Sequence, residues 1–600
     1  MLSGSMAKDA DKPTKAQREL AVIRDTVESI WVAIVLAFVL RAFVFEAFVI
    51  PTGSMAPLLV GEHYDLVCPC CGLPYAYGLR SEQGGAPPTR GRPHMPVGRA
   101  ACPNCGFPYT VTSEERFLNG GDRVLVLKYI YRFMEPRPWD VVVFRNPQNN
   151  QENYIKRLIG LPGETLEIIH GDIYVRDRGG PWRIRRKERK KVQETMWQVV
   201  FDNDYRPNLE MIEAYNARHP DAPIRPPGWD GPSWDLTGDS GRRFSFDGHA
   251  ERAELAFTGK REAFMPRYGY NDERPVPSGV SVYAEEYVCG DLDLSLTYAP
   301  GSAGSDISLV LESLHHRFRT EVRADGTVTL FHSHPDVDDG REQVWQQTNI
   351  GPLEIGRGHK LEMANVDYRV SLWLDDRLIV RSTDAQYSPD LTADPLKTLR
   401  AAPEMERTLE RTLHERRQRG LNTRELTERH DALLDRVREL VGVPAAKIIA
   451  TGGPCKLTHV RLARDVFYTS QKLGLPTKGD PEVLLDYAHE LGHQAGEEPG
   501  WGCTGRAIHL NKHADDPDLD EFFVLGDNSP QSLDGRAWVA AAPTLRLHDE
   551  NGTPQYTLGT VPRYNLIGRA LFVYWPSGYR IPGLTGLPII PNVGKMRLIR

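Results

Sequence analysis

A chain of 600 residues is too long for one ordinary hydrophobic core, and length alone argues for several modules. A formal net charge of -7 is mild at this size and gives no general argument for a nucleic-acid partner. Eight cysteines are few, and five of them lie between Cys68 and Cys105, which points to a local metal site rather than a disulfide framework.

The N-terminus carries the first signal. From Ile30 to Ile50 the chain reads IWVAIVLAFVLRAFVFEAFVI. The uninterrupted apolar core, Ile30–Leu40, is too short to cross a bilayer, but a helix from Thr26 to about Phe45 supplies roughly 20 residues. The pattern predicts a single transmembrane helix over 26–46, with Arg41 snorkelling to an interface. Lys8, Lys12, Lys15, Arg18 and Arg24 precede it, and almost no basic residue follows before Arg80. This bias predicts a cytoplasmic segment 1–25, with the rest of the chain beyond the membrane. No A-x-A site follows, which disfavours a cleaved secretory signal.

Residues 47–67 begin the part beyond the helix. Residues 68–112 hold the cysteine pairs around a Gly/Pro-rich loop, Ser81 to Gly98. Residues 113–180 read as short strands (RVLVLKYIY, DVVVF, YIKRLIGL, TLEII, DIYV), rich in valine, isoleucine and aromatics. A basic stretch, Arg183 to Lys191, opens a linker over 181–227. Residues 228–390 alternate strongly (DLDLSLTYA, ISLVLES, FRTEVR, TVTLF), which predicts a β-sandwich insert. Residues 391–445 form a helical segment, and 403–441 read as two solvated helices broken near Gly420 and Asn422. Residues 446–517 complete the insert, and 518–600 return to strands.

Three short segments carry candidate chemistry. Ile50-Pro51-Thr52-Gly53-Ser54-Met55-Ala56-Pro57 presents a serine in a tight turn; to attack an amide it needs a base and an oxyanion site. Tyr154-Ile155-Lys156-Arg157-Leu158-Ile159-Gly160 places a lysine inside an apolar strand, where desolvation lowers its pKa and frees an amine to act as base. Gly526-Asp527-Asn528-Ser529-Pro530-Gln531-Ser532-Leu533-Asp534-Gly535-Arg536 is a polar, turn-forming box after the apolar run Phe522–Leu525. Each alone has a bland reading as a turn or an ordinary strand.

Together, in this order, and with Gly121-Asp122-Arg123-Val124-Leu125-Val126 and Gly568-Arg569-Ala570, they resemble bacterial type I signal peptidases over roughly 200 residues. The resemblance implies a mainly β catalytic core, interrupted by the inserts, and a serine endopeptidase cleaving signal peptides from exported preproteins. It makes Ser54 the nucleophile, Lys156 the general base, Ser532 the residue that orients the lysine, and Thr52 an oxyanion donor. Asp527 and Asn528 are structural at the site, and Asp534 with Arg536 match a buried ion pair. Gly535 departs from the family's usual serine. No catalytic cofactor is implied. The expected setting is the outer face of the cytoplasmic membrane.

Cys68-Pro69-Cys70-Cys71-Gly72 and Cys102-Pro103-Asn104-Cys105-Gly106 are two knuckles, which predict a structural zinc on Cys68, Cys71, Cys102 and Cys105 with Cys70 spare. Two disulfides are the alternative. His489-Glu490-Leu491-Gly492-His493 matches H-E-x-x-H, so a zinc metalloprotease is the enzymatic alternative. A membrane-anchored binding protein with a degenerate peptidase core is the other. The stretch Val366–Val380 loosely resembles concanavalin-like jelly rolls, so a carbohydrate or protein ligand is an expectation for the sandwich.

Overall fold

The computed structural model describes residues 15–39, 41, 44–78, 98–111, 119–221, 223–266, 270, 288–470, 499–539, 541–542, 545, 556–576 and 592–599. Helix α1 (Lys15–Val39) precedes the first strand, β1 (Phe45–Val49). The expected transmembrane helix over 26–46 is overturned: no helix among the described residues is long and apolar enough to cross a membrane. Glu28 and two hydroxyl residues occupy its start, so only Ile30–Val39 is uninterrupted apolar helix, well short of the roughly 20 residues needed. The residues counted as its far end are a strand. Phe45–Val49 pairs antiparallel with β2 (Arg123–Lys128), from Phe45 opposite Leu127 to Val49 opposite Arg123.

The sheet that holds the candidate chemistry continues with β3 (Val141–Arg145), β4 (Asn153–Gly160), β5 (Glu521–Leu525) and β6 (Leu566–Trp575). Its order is β1-β2-β6-β3-β4-β5, with antiparallel neighbours. Strand β6 lies between β2 and β3, so the sheet is complete only when the C-terminal segment arrives. Valine-rich β2 and β3 suit this interior position. Val124, Val126, Val141, Val143 and Ala570 pack with Ile50 and Met55 of the serine box and with Leu58 and Leu59 just after it. Val142, Phe144, Leu158, Phe522, Val524 and Trp538 form a separate cluster. A smaller sheet, Arg183–Ile184, Asp172–Asp177, Glu164–Ile169 and Ile508–His509, leads out to the insert.

Two large antiparallel sheets of eight and seven strands build the insert. Alternating apolar residues of strands such as Leu292–Pro300, Asp306–Ser313 and Cys455–Arg464 enclose one core. Helices α2 (Leu396–Gln418) and α3 (Arg424–Val441) follow. They differ from the expected pair of solvated helices, because Leu396, Leu399, Leu433, Leu434 and Val437 join the sandwich core. An apolar stripe at helical spacing inside a charged sequence is enough to dock them. His489, Glu490 and His493 lie outside the described residues, as does 81–97 of the Gly/Pro-rich loop.

Candidate active site

Strand β4 is flanked on both sides, with Val142 opposite Lys156 on β3 and Leu525 opposite Arg157 on β5. That central position buries Lys156 to 4% exposure. Its ammonium lies 2.7 Å from Ser54 Oγ and 3.2 Å from its neighbour's carbonyl, Ile155 O. Burial pushes the Lys156 pKa down to about 8; Asp534 and Asp527 pull it up, and Arg536 pushes it further down. A lysine at this value is partly neutral near neutral pH, and the neutral amine accepts a proton.

Ser54 sits in a turn held to the sheet from below. The Ile50 N–H donates to Asp122 O at 2.9 Å, and the Val60 N–H donates to the Asp122 carboxylate at 3.1 Å. From the other side the third box grips the turn. The Asn528 N–H donates to Ser54 O at 3.1 Å, and its Nδ2 donates to Gly53 O at 2.9 Å. Ser532 is buried, and its Oγ would lie 2.1 Å from a Cβ built on Gly526, where Ser54 O would lie 2.5 Å away. Gly526 therefore lets the serine box and Ser532 close on one point. Gly526→Ala is expected to part Ser54 from Lys156 and lower kcat by about 100-fold or more, read in a cleavage assay on folded protein.

Neighbouring strand residues face opposite ways, so Arg157 cannot serve the side that Lys156 serves. It makes a buried two-pronged pair with Asp527, at 2.7 and 2.6 Å, and donates to Trp139 O at 2.9 Å. Asp534 pairs with Arg536 at 2.9 and 2.7 Å and accepts from the Gly526 N–H at 3.0 Å. Arg536 also donates to Thr469 O and Ser529 Oγ, both at 2.7 Å. Two fixed guanidinium–carboxylate forks thus set the loop that carries Asn528 and Ser532. The Arg157 pair was not anticipated, although Arg157 directly follows the lysine. Thr52 is exposed, and its hydroxyl makes no hydrogen bond to a described residue.

A family model described as "Signal peptidase, peptidase S26" matches residues 105–213 and 506–575. These two segments, under a third of the chain, are similar to the signal peptidase S26 family. The S26 match holds β2 to β6 with Lys156 and the third box, and begins after Ser54. The signal peptidase I of Rickettsia typhi (strain ATCC VR-144 / Wilmington) is 29% identical over 145 residues, covering 24% of this chain and 40% of the relative. That of Rickettsia bellii (strain OSU 85-389) is 28% identical over 150 residues, covering 25% and 38%. The chain thus spans about 40% of the length of these curated relatives. The carbohydrate-binding module CBM66 of Bacillus subtilis aligns with 39% of the chain and 94% of its own length, at 11% identity. Its TM-score of 0.21 is too low to carry an argument.

Between β1 and β2, Cys68, Cys71, Cys102 and Cys105 bring four sulfurs within 4.8 Å of one another. Cys68 and Cys105 Sγ are 3.6 Å apart and Cys71 and Cys102 Sγ 3.5 Å apart, too far for disulfides and close to the spacing of thiolates around one tetrahedral ion. Both knuckles fold alike: the Gly72 N–H donates to Cys68 O and the Gly106 N–H to Cys102 O, each at 2.9 Å. Cys70 points elsewhere, its thiol 3.6 Å from Asn208 O. Buried Asn104 fastens the second knuckle to the insert, donating to Tyr205 O and accepting from the Asp202 N–H, both at 2.7 Å.

Proposed function

We propose that the protein is a serine endopeptidase that removes signal peptides from exported preproteins, with Ser54 as nucleophile and Lys156 as general base. The observation that carries this reading is the buried 2.7 Å contact between Lys156 Nζ and Ser54 Oγ. Neutral Lys156 takes the Ser54 proton as Oγ attacks the scissile carbonyl. The Ser54 N–H and the Thr52 hydroxyl stabilise the resulting oxyanion. The Lys156 ammonium then gives its proton to the departing amine, leaving an acyl-enzyme. Lys156 next deprotonates a water that attacks the ester, and the proton returns to Ser54 Oγ as the acid leaves. Ser532, Asn528 and the two arginine–carboxylate pairs hold these groups in place. Exported preproteins emerge on the outer face of the cytoplasmic membrane, and we place the enzyme there on that ground alone. We assign a carbohydrate or protein ligand to the sandwich as the insert's role, through its exposed surface.

The test is cleavage of a purified preprotein by the wild type, Ser54→Ala, Lys156→Ala and Glu490→Ala. The first two variants are expected to lose about 10^4-fold or more in kcat, and the third to keep wild-type activity. Activity that survives the first two changes and is lost in the third would assign the chemistry to the H-E-x-x-H segment.

Structural zinc is the proposed occupant of the four cysteines. Cobalt titration of metal-stripped protein is expected to end at one equivalent, with thiolate charge-transfer absorption that Cys68→Ser and Cys105→Ser abolish and Cys70→Ser retains. Stripping the metal should lower the Tm. An unchanged Tm, with no cobalt bound, would refute the site.

A further inference from the structure

The serine box has a second neighbour, and it comes from the insert. Tyr270 lies far along the chain from Ser54, yet its ring edge sits in a slot between two glycines. A Cβ built on Gly53 would stand 2.0 Å from Tyr270 Cε1, and one built on Gly78 would stand 2.1 Å from the same atom. Contacts that close exist only because both positions lack a side chain. The phenol donates to Glu62 O at 3.1 Å, and the Tyr270 carbonyl accepts from the Gly78 N–H at 2.7 Å. The ring is therefore held between Gly53 and Gly78, the backbone at Gly78 and the hydroxyl at Glu62.

The Gly53–Ser54 peptide is gripped on its other side by Asn528, through Gly53 O and Ser54 O. Tyr270 supplies the opposing face, where Gly53 has no side chain of its own to pack. A tyrosine suits this task because it has few rotamers, a broad rigid contact surface and a polar tip that can be tied down. The Ser54 amide and Oγ leave the backbone at the residue next to this contact, so a shift of Gly53 is a shift of the nucleophile.

We propose that Tyr270 is a positioning residue for the nucleophile: packed from the insert against Gly53, it holds the Gly53–Ser54 peptide so that Ser54 Oγ stays in reach of Lys156. This rests on the peptidase reading above. A misplacement of about 1 Å is worth on the order of 100-fold in rate.

Tyr270→Ala is expected to lower kcat on a preprotein by about 10- to 100-fold, with KM changed by less than about threefold. Tyr270→Phe keeps the ring and should stay within about threefold of the wild type. Gly78→Ala crowds the same ring without touching the serine box in sequence and should lower kcat as well. In the double variant the added methyl has no ring to meet, so Tyr270→Ala/Gly78→Ala should be no slower than Tyr270→Ala. Hydrogen exchange gives a readout independent of substrate. The Ala56 amide, which donates to Gly53 O at 3.0 Å, should exchange faster in Tyr270→Ala and Gly78→Ala than in the wild type.

An unchanged kcat in Tyr270→Ala would overturn the proposal. So would a rise in KM alone, which would make Tyr270 a substrate contact, or additive losses in the double variant. If Tyr270→Ala does not fold, Gly78→Ala and Tyr270→Phe decide by the same readouts. If the wild type cleaves no preprotein, the peptidase reading fails, and exchange at Ala56 alone decides the role of Tyr270.

Discussion

Replacing Lys156 with methionine is expected to abolish cleavage, by about 10^4-fold or more, while making the folded protein more stable. Both effects have one source. Burial holds the Lys156 pKa at about 8, below the value of about 10.4 that the unfolded chain allows. Between those two values the unfolded state binds the proton more tightly. The wild type therefore gains stability as pH rises through this window and carries the full penalty below it. The penalty is on the order of 3 kcal/mol near pH 7. Methionine has similar bulk and no charge to desolvate, so it removes the penalty at neutral pH. Urea unfolding should show Lys156→Met ahead of the wild type near pH 7, with the gap closing towards about pH 10.5. The wild-type kcat/KM should rise with pH through an inflection near about 8, as the amine loses its proton. Lys156→Arg keeps a permanent charge and should stay inactive at every pH. A methionine variant less stable than the wild type near neutral pH, together with a rate insensitive to pH around the inflection, would remove Lys156 from the role of base.

The three boxes are readable in the sequence through their order, since a serine in a glycine–proline turn, a lysine in an apolar strand and a polar turn after Phe522–Leu525 are each bland alone. Their meeting point is not readable, since it depends on β4 being held between β3 and β5 and on a glycine at 526 that lets two segments close. The N-terminal span is ambiguous for a reason of pattern. FEAFV is apolar enough to end a helix and also alternates well enough to be a strand, and only its pairing with Arg123–Lys128 decides. Arg157 was visible but unassigned, because a strand arginine next to a lysine carries no local sign of a distant carboxylate. Tyr270 and Lys187 left no trace either. One is an ordinary loop tyrosine, and the other is one cation within the basic stretch from Arg183 to Lys191. Both matter only through long-range contacts between the insert and the sheet that holds the candidate chemistry.

Lys187→Met should be the most damaging single change outside the active site. Lys187 is buried, and its ammonium lies 2.5 Å from Asp367 and 2.8 Å from Asp465, over the ring of Trp139 at 4.8 Å. Burial opposes its charge, but Asp367 and Asp465 hold its pKa well above the ordinary lysine value. Two more carboxyls crowd the same pocket. Burial, with Asp367 and Asp465, pushes Asp291 up to about 8, and burial pushes Asp172 well above the usual carboxylate range. Asp465 is raised by burial to about 6 even with Lys187 beside it. Without the ammonium these carboxylates face one another uncompensated, at a cost of about 3–5 kcal/mol. The sign with pH follows from the raised values. A carboxyl with a raised folded pKa contributes stability that is full below about pH 4 and lost as pH rises through its folded value. Wild-type stability should therefore decline between about pH 4 and pH 8 on account of these groups, and the decline should steepen in Lys187→Met. Urea unfolding should show a larger deficit at about pH 8 than at about pH 5, and adding Asp465→Asn should recover at least about 1 kcal/mol. A deficit independent of pH and not relieved by Asp465→Asn would mean that Lys187 serves packing alone. The loss should also reach the active site. Trp139, beneath the Lys187 ammonium, is the residue whose carbonyl accepts from Arg157, and Arg157 holds Asp527 in the box that grips Ser54. The ion cluster that seats the insert thus stands three contacts from the loop that positions the nucleophile, and kcat in Lys187→Met should fall further than its folded fraction alone accounts for.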